Sequence, residues 1–133
     1  MPAAAAVRIP GVVTPSGNIR CLFVPSSNGG AANLLCNIHR SDYGTALQNR
    51  CISPPIGLDW HGFRLGKHRR GEVVCTGGIL YAVGRQVPHY VPLPYGRTWR
   101  RGPFTCTSQV TGLTCRNLDG HGLFISRDAW RAW

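Results

Sequence analysis

The chain has 133 residues, six cysteines and a formal net charge of +10, with fifteen Lys and Arg against five Asp and Glu. That length supports one domain with a core of its own. The shortage of carboxylates argues against glycoside hydrolysis and against an acid-rich calcium site, and no apolar run approaches the roughly 20 residues of a transmembrane helix.

Met1 to Val7 is apolar and alanine-rich but lacks the charged start and long apolar region of an export signal. With the cysteines it suggests a mature chain whose export signal has been replaced by a start methionine. We read residues 1–12 as an N-terminal arm that docks on something, and 13–133 as a single β-rich domain ending in an aromatic tail. Glycines and prolines cut this domain into short segments, and nothing long carries apolar residues at helical spacing.

Ile19, Cys21 and Phe23 alternate on one predicted strand, and Leu34, Cys36 and Ile38 on the next. Asn28-Gly29 between them is a strong hairpin signal. Pro25 would lack an N–H that a strict two-residue turn requires, so the loop is expected to be longer around the same centre. Arg40–Asn49 suits a short helix or an irregular loop. Further strands are expected at Gly71–Thr76, Ile79–Val83 and Gly122–Ser126. Val87 to Tyr95, with three prolines, is read as an extended surface connection. Phe104 to Asn117 forms a second hairpin, turning at Gln109 to Gly112. The sum is an all-β fold: a small disulfide-bonded antiparallel barrel or sandwich of about seven short strands with long Gly/Pro-rich loops.

In the first hairpin Cys21 faces Cys36, and in the second Cys106 faces Cys115. Elimination leaves Cys51 with Cys75. No cysteines stand at zinc-ligand spacing, so disulfides and an oxidising, extracytoplasmic location are expected, with no metal and no cofactor. A spacing of Gly and Cys recurs at Gly17–Cys21, Gly71–Cys75 and Gly102–Cys106, but it implies no repeat architecture.

Several segments together carry a resemblance. They are Thr14-Pro15-Ser16-Gly17-Asn18-Ile19 with Cys21, Leu58-Asp59-Trp60, Leu93-Pro94-Tyr95-Gly96 and Phe104-Thr105-Cys106. Gly112-Leu113-Thr114-Cys115-Arg116-Asn117, Gly120-His121-Gly122 and Ile125-Ser126-Arg127 complete the pattern. The chain resembles, from about Val13 to Trp130, a domain of unknown function found in exported actinobacterial proteins and lipoproteins. The resemblance implies an exported, disulfide-bonded β-rich domain and supplies no catalytic residue.

Candidate chemistry falls on four places. His121 between two glycines is an unshielded imidazole that suits general acid-base work or a plain structural turn. Asp59 is expected to meet an arginine. In an enzyme it would instead join His121, Arg127 and a nucleophile such as Ser16 or Ser126. Tyr95, Arg97, Trp99, Arg100 and Arg101 form one aromatic–arginine cluster, and Arg127, Trp130, Arg131 and Trp133 a second. Of these, Tyr95, Arg97, Arg100, Arg101, Trp130 and Trp133 are the ligand-binding candidates, because aromatic faces with guanidiniums suit sugars, bases and phosphate. Trp99 is expected in the core. Lys67-His68-Arg69-Arg70 is a basic hairpin tip.

These features favour a non-enzymatic, basic binding domain. It would recognise an anionic polymer, a glycan or a protein at or outside the cell envelope, with nucleic acid among the anions its charge permits. One alternative is a small secreted hydrolase or nuclease using His121. Another is a structural subunit of an extracellular particle or filament, which self-associates through the chain start and Trp133. A composition rich in Arg, Ala, Gly and Pro accounts for the charge equally well without any ligand.

Overall fold

The structure, a computed structural model, describes residues 7–25, 31–77 and 86–133. In chain order the elements are β1 (Val7–Val13), β2 (Ile19–Val24), β3 (Asn33–Ile38), α1 (Gly44–Ile52), β4 (Asp59–Leu65), β5 (Glu72–Thr76) and β6 (Gln86–Pro92). There follow β7 (Thr98–Arg101), β8 (Phe104–Gln109), β9 (Gly112–Arg116), β10 (Gly122–Ile125) and β11 (Trp130–Ala132). They form two sheets, ordered β5-β4-β3-β2-β1-β6 and β11-β10-β9-β8-β7.

The sheets face each other as a small sandwich. Alternation places the core: in β8, Phe104, Cys106 and Ser108 are buried while Thr105 and Thr107 are partly exposed. Phe63, Leu34 and Leu65 from the larger sheet meet Phe104, Leu113, Leu123 and Ile125 from the smaller.

The cysteines form three disulfides, Cys21–Cys36, Cys51–Cys75 and Cys106–Cys115. The first and third link residues directly opposite in the β2–β3 and β8–β9 ladders. In both the Cα atoms are 4.0 Å apart. These two bridges lie on the inner faces of the two sheets and touch across the core, with Cys21 Sγ 4.0 Å from Cys115 Sγ. Neither sulfur carries a hydrogen, so this is a packing contact. Cys51–Cys75 ties α1 to β5. Each bridge is worth about 2–4 kcal/mol, chiefly by restricting the unfolded chain.

The structure departs from the sequence expectations at the sheet's edge. The stretch read as a surface connection is β6, which runs parallel to β1 from Gln86 opposite Val7 to Pro92 opposite Val13. Prolines fit there because an edge strand has one side without a ladder partner. Residues 7–12, read as an arm, belong to β1, between β2 and β6, so the larger sheet is mixed rather than purely antiparallel. Pro10 is accommodated because the β1–β2 ladder involves only Gly11, Val12 and Val13. Strands β4, β7 and β11 also go beyond the expected seven. Arg40–Asn49 contributes most of α1. The Asn28-Gly29 loop and the strand expected at Ile79–Val83 lie outside the described residues. No helix among the described residues is long and apolar enough to cross a membrane.

Candidate functional site

Two connections far apart in sequence are laced together at one end of the smaller sheet. Residues 66–71 join β4 to β5, and residues 117–121 join β9 to β10. The buried Asn117 carboxamide holds both. Its Nδ2 donates to the carbonyls of Gly66 at 2.9 Å and Arg69 at 2.8 Å. Its Oδ1 accepts from the N–H groups of Asp119 at 3.0 Å and His121 at 3.1 Å. A side-chain amide has two donors and two strong acceptor positions, and all are in use.

Trp133 closes the same end. Its indole N–H donates to the Gly120 carbonyl at 2.9 Å, and its main-chain oxygen accepts from Gly71 and Gly122. The glycines flanking His121 have different reasons to be there. Gly120 adopts φ +81°, which favours a residue without Cβ. Gly122 is set by space, since a Cβ on it would lie 2.7 Å from the Trp133 ring.

This bracing sets His68, Arg69, Arg70 and His121 around one cavity of about 670 Å³, which Arg50 of α1 and Trp130 of β11 also line. His68 Nδ1 lies 3.1 and 3.2 Å from the two Asp119 carboxylate oxygens. The His121 imidazole has no side-chain partner among the described residues. Glu72 is the cavity's one carboxylate, and it accepts from Arg64 Nε at 2.7 Å in a second contact beside their ion pair. Arg50, Arg69 and Arg70 form no ion pair among the described residues. The cavity therefore offers guanidinium charge, two imidazoles and an aromatic wall.

A second cavity, about 490 Å³, lies at the opposite ends of β9 and β10. Ser16, His39, Arg40, Tyr95, Gln109 and Arg127 are among its walls. Asn18 frames it by donating to the Arg40 carbonyl at 2.9 Å and accepting from the Arg40 N–H at 2.7 Å. Tyr43 donates its phenol to the Ser126 carbonyl at 2.7 Å. Burial, and then the Asp128 carboxylate, push that phenol well above its ordinary range, so it remains a donor.

The residues proposed for a triad do not share a cavity. His121 lines the first and Arg127 the second, while Asp59 lines neither. Asp59 accepts from Gln48 Nε2 at 2.8 Å, where an arginine was expected. Gln48 is positioned for this because its Oε1 also accepts the Trp60 N–H, fixing α1 to β4. Ser126 lies at the second cavity, but its hydroxyl is engaged with Asp128 and with the backbone of Ala129. Ser16 accepts the Asn18 N–H at 3.2 Å in the loop that frames that cavity.

Trp99, Arg100 and Arg101 of the first aromatic–arginine cluster lie on β7, and Trp130 and Arg131 of the second on β11. These are the opposite edges of the five-stranded sheet, which four strand spacings put roughly 19 Å apart. Tyr95 and Arg127, one from each cluster, line the second cavity together. Tyr95 is exposed at the second cavity, and Arg97 and Arg100 are exposed beside it in sequence. Arg101 lies over the Phe23 ring at 5.9 Å. Trp99 packs against the core as expected. Trp130 packs on Phe63 and lines the first cavity. Trp133 is committed to its own chain, with Arg116 at 5.2 Å and Arg131 at 4.9 Å from its ring centre.

Sequence reasoning missed Asn117 as the brace and His68 with Asp119 as a pair. Asp119-Gly120 after a strand is a turn signal, but nothing in it announces the partner loop some 50 residues earlier.

The family model that matches the chain is described as a family of unknown function, DUF6636, and it covers residues 1–131. The chain belongs to this family. No curated protein and no solved structure matches it.

Proposed function

We propose that this protein is an extracytoplasmic binding domain that takes a phosphate-bearing anionic polymer in the cavity braced by Asn117. Three arginines without ion-pair partners among the described residues, set beside two imidazoles in one open cavity, carry this reading. Guanidiniums pair bidentately with phosphate, and Trp130 adds a face for stacking. The three disulfides supply a rigid support and fit an oxidising location.

Binding of a 2′-O-methyl oligonucleotide and of a glycerol-phosphate polymer, measured across salt concentrations, tests it. Affinity is expected to fall steeply with salt, and Arg69→Ala/Arg70→Ala together should lower the slope by about 2. Affinity indifferent to both salt and the double variant would overturn the proposal.

A second reading places a sugar ligand in the cavity at the other end. Thr14–Ile19, Leu93–Gly96, Gly112–Asn117 and Ile125–Arg127, on which the family resemblance rests, each contribute to its wall. Tyr95 would stack on the sugar, with Arg40 and Arg127 beside it. If Tyr95→Ala leaves binding to envelope glycans unchanged, this second reading fails.

A further inference from the structure

We infer that the braced cavity also cleaves RNA, with His68 and His121 exchanging the protons; this rests on the cavity binding phosphate-bearing polymers. Acid-base cleavage needs two proton-transfer groups held in a fixed relation, with positive charge near the phosphate. One carboxamide provides the fixed relation. Asn117 holds the carbonyls of Gly66 and Arg69 on either side of His68, and the N–H groups of Asp119 and His121.

The two imidazoles are in different situations. Asp119 faces His68 Nδ1 with both oxygens, at 3.1 and 3.2 Å. A carboxylate there keeps the proton on Nδ1 and leaves Nε2 to accept one. His121 is half-buried, and its ring has no side-chain partner among the described residues, so its proton is available to a substrate. Arg50, Arg69 and Arg70 supply charge where negative charge builds on the phosphate oxygens.

Proton transfer and charge stabilisation are what transesterification by an internal hydroxyl requires, and the ribose 2′-hydroxyl is that hydroxyl. His68 Nε2 accepts the 2′ proton, and the freed electron pair forms the bond from O2′ to the adjacent phosphorus. The bond from phosphorus to O5′ breaks, its electron pair stays on O5′, and imidazolium His121 gives that oxygen a proton. The products are a 2′,3′-cyclic phosphate and a free 5′-hydroxyl. No oxidant, reductant or further reactant is needed. DNA lacks the hydroxyl and should not be cut.

The full disulfide-bonded chain, incubated with an RNA oligonucleotide and with its DNA counterpart, tests this by mass spectrometry of the products. RNA fragments ending in cyclic phosphate are expected, with DNA intact. His121→Ala and His68→Ala should each lower the cleavage rate by about 10²-fold or more. Their melting temperatures should stay near wild type, so that lost cleavage is not lost fold. Asp119→Asn should cost less, because Asp119 positions His68 without touching substrate. Salt-dependent binding without cyclic phosphate overturns the cleavage inference and leaves the binding proposal standing. Absence of binding overturns both. Cleavage that survives both histidine substitutions belongs to a contaminant and overturns the inference.

Discussion

At one end of β9 and β10 the Asn117 side chain makes four hydrogen bonds to the backbone of two loops, and it is buried. At the other end the Asn18 side chain makes two, both to Arg40, and it is only half-buried. Both ends use an asparagine to hold a connection that no strand ladder reaches. The Asn117 end fixes a run of cationic residues against a histidine-bearing turn. The Asn18 end frames a hollow with hydroxyls, an exposed tyrosine and two arginines, one of which, Arg127, lies 4.0 Å from the Asp42 carboxylate. Similar bracing thus supports surfaces of different chemistry, and the denser bracing stands where like charges crowd together.

Removing the support common to both ends should have the largest effect. Cys106→Ala with Cys115→Ala takes away the bridge between β8 and β9 and should cost about 2–5 kcal/mol in denaturant unfolding. Amide exchange should accelerate at both ends.

Substitutions in the braces separate the ends. Asn117→Ala leaves four backbone groups to find water and should cost about 2–3 kcal/mol. Exchange should quicken at Asp119 and His121 while the Arg40 amide stays protected. Asn18→Ala should cost about 1 kcal/mol with the opposite pattern. Equal exchange at both ends in either variant would show that the braces are not independent.

Arginines give a sharper contrast. Arg40→Ala with Arg127→Ala should leave polyanion affinity within about twofold, whereas Arg69→Ala with Arg70→Ala should reduce it and flatten its salt dependence. The smallest effect is expected at Glu72. The Arg64–Glu72 pair is exposed, with side chains 44% and 42% accessible, so Glu72→Ala should change stability by less than about 1 kcal/mol. It should also tighten polyanion binding slightly by freeing Arg64 beside the cavity.

Much of the scaffold was legible in local pattern. Cys21 and Cys36 sit symmetrically about a turn signal, and Cys106 and Cys115 flank a short one, so hairpin geometry alone paired them. Strand β6 was not legible because Pro88, Pro92 and the neighbouring Pro94 mimic a loop. Its partner β1 lies about 80 residues away, and a parallel pairing leaves no turn between its strands to read. The first cavity was partly legible. His121 stood out by its flanking glycines, and Lys67–Arg70 by charge. Their meeting depends on Asn117 bonding to the far side of the β4–β5 connection, a contact no local pattern encodes. Asp59 was assigned an arginine on charge alone, but α1 brings Gln48 to it first.

The most direct test is an amide chemical-shift titration of the disulfide-bonded protein with a 2′-O-methyl oligonucleotide. Shifts concentrated at Arg69–Gly71 and Asn117–Gly122, with Thr14–Asn18, Arg40 and Arg127 unmoved, are the predicted result. Shifts confined to those second positions, or no shifts at saturating oligonucleotide, would contradict it.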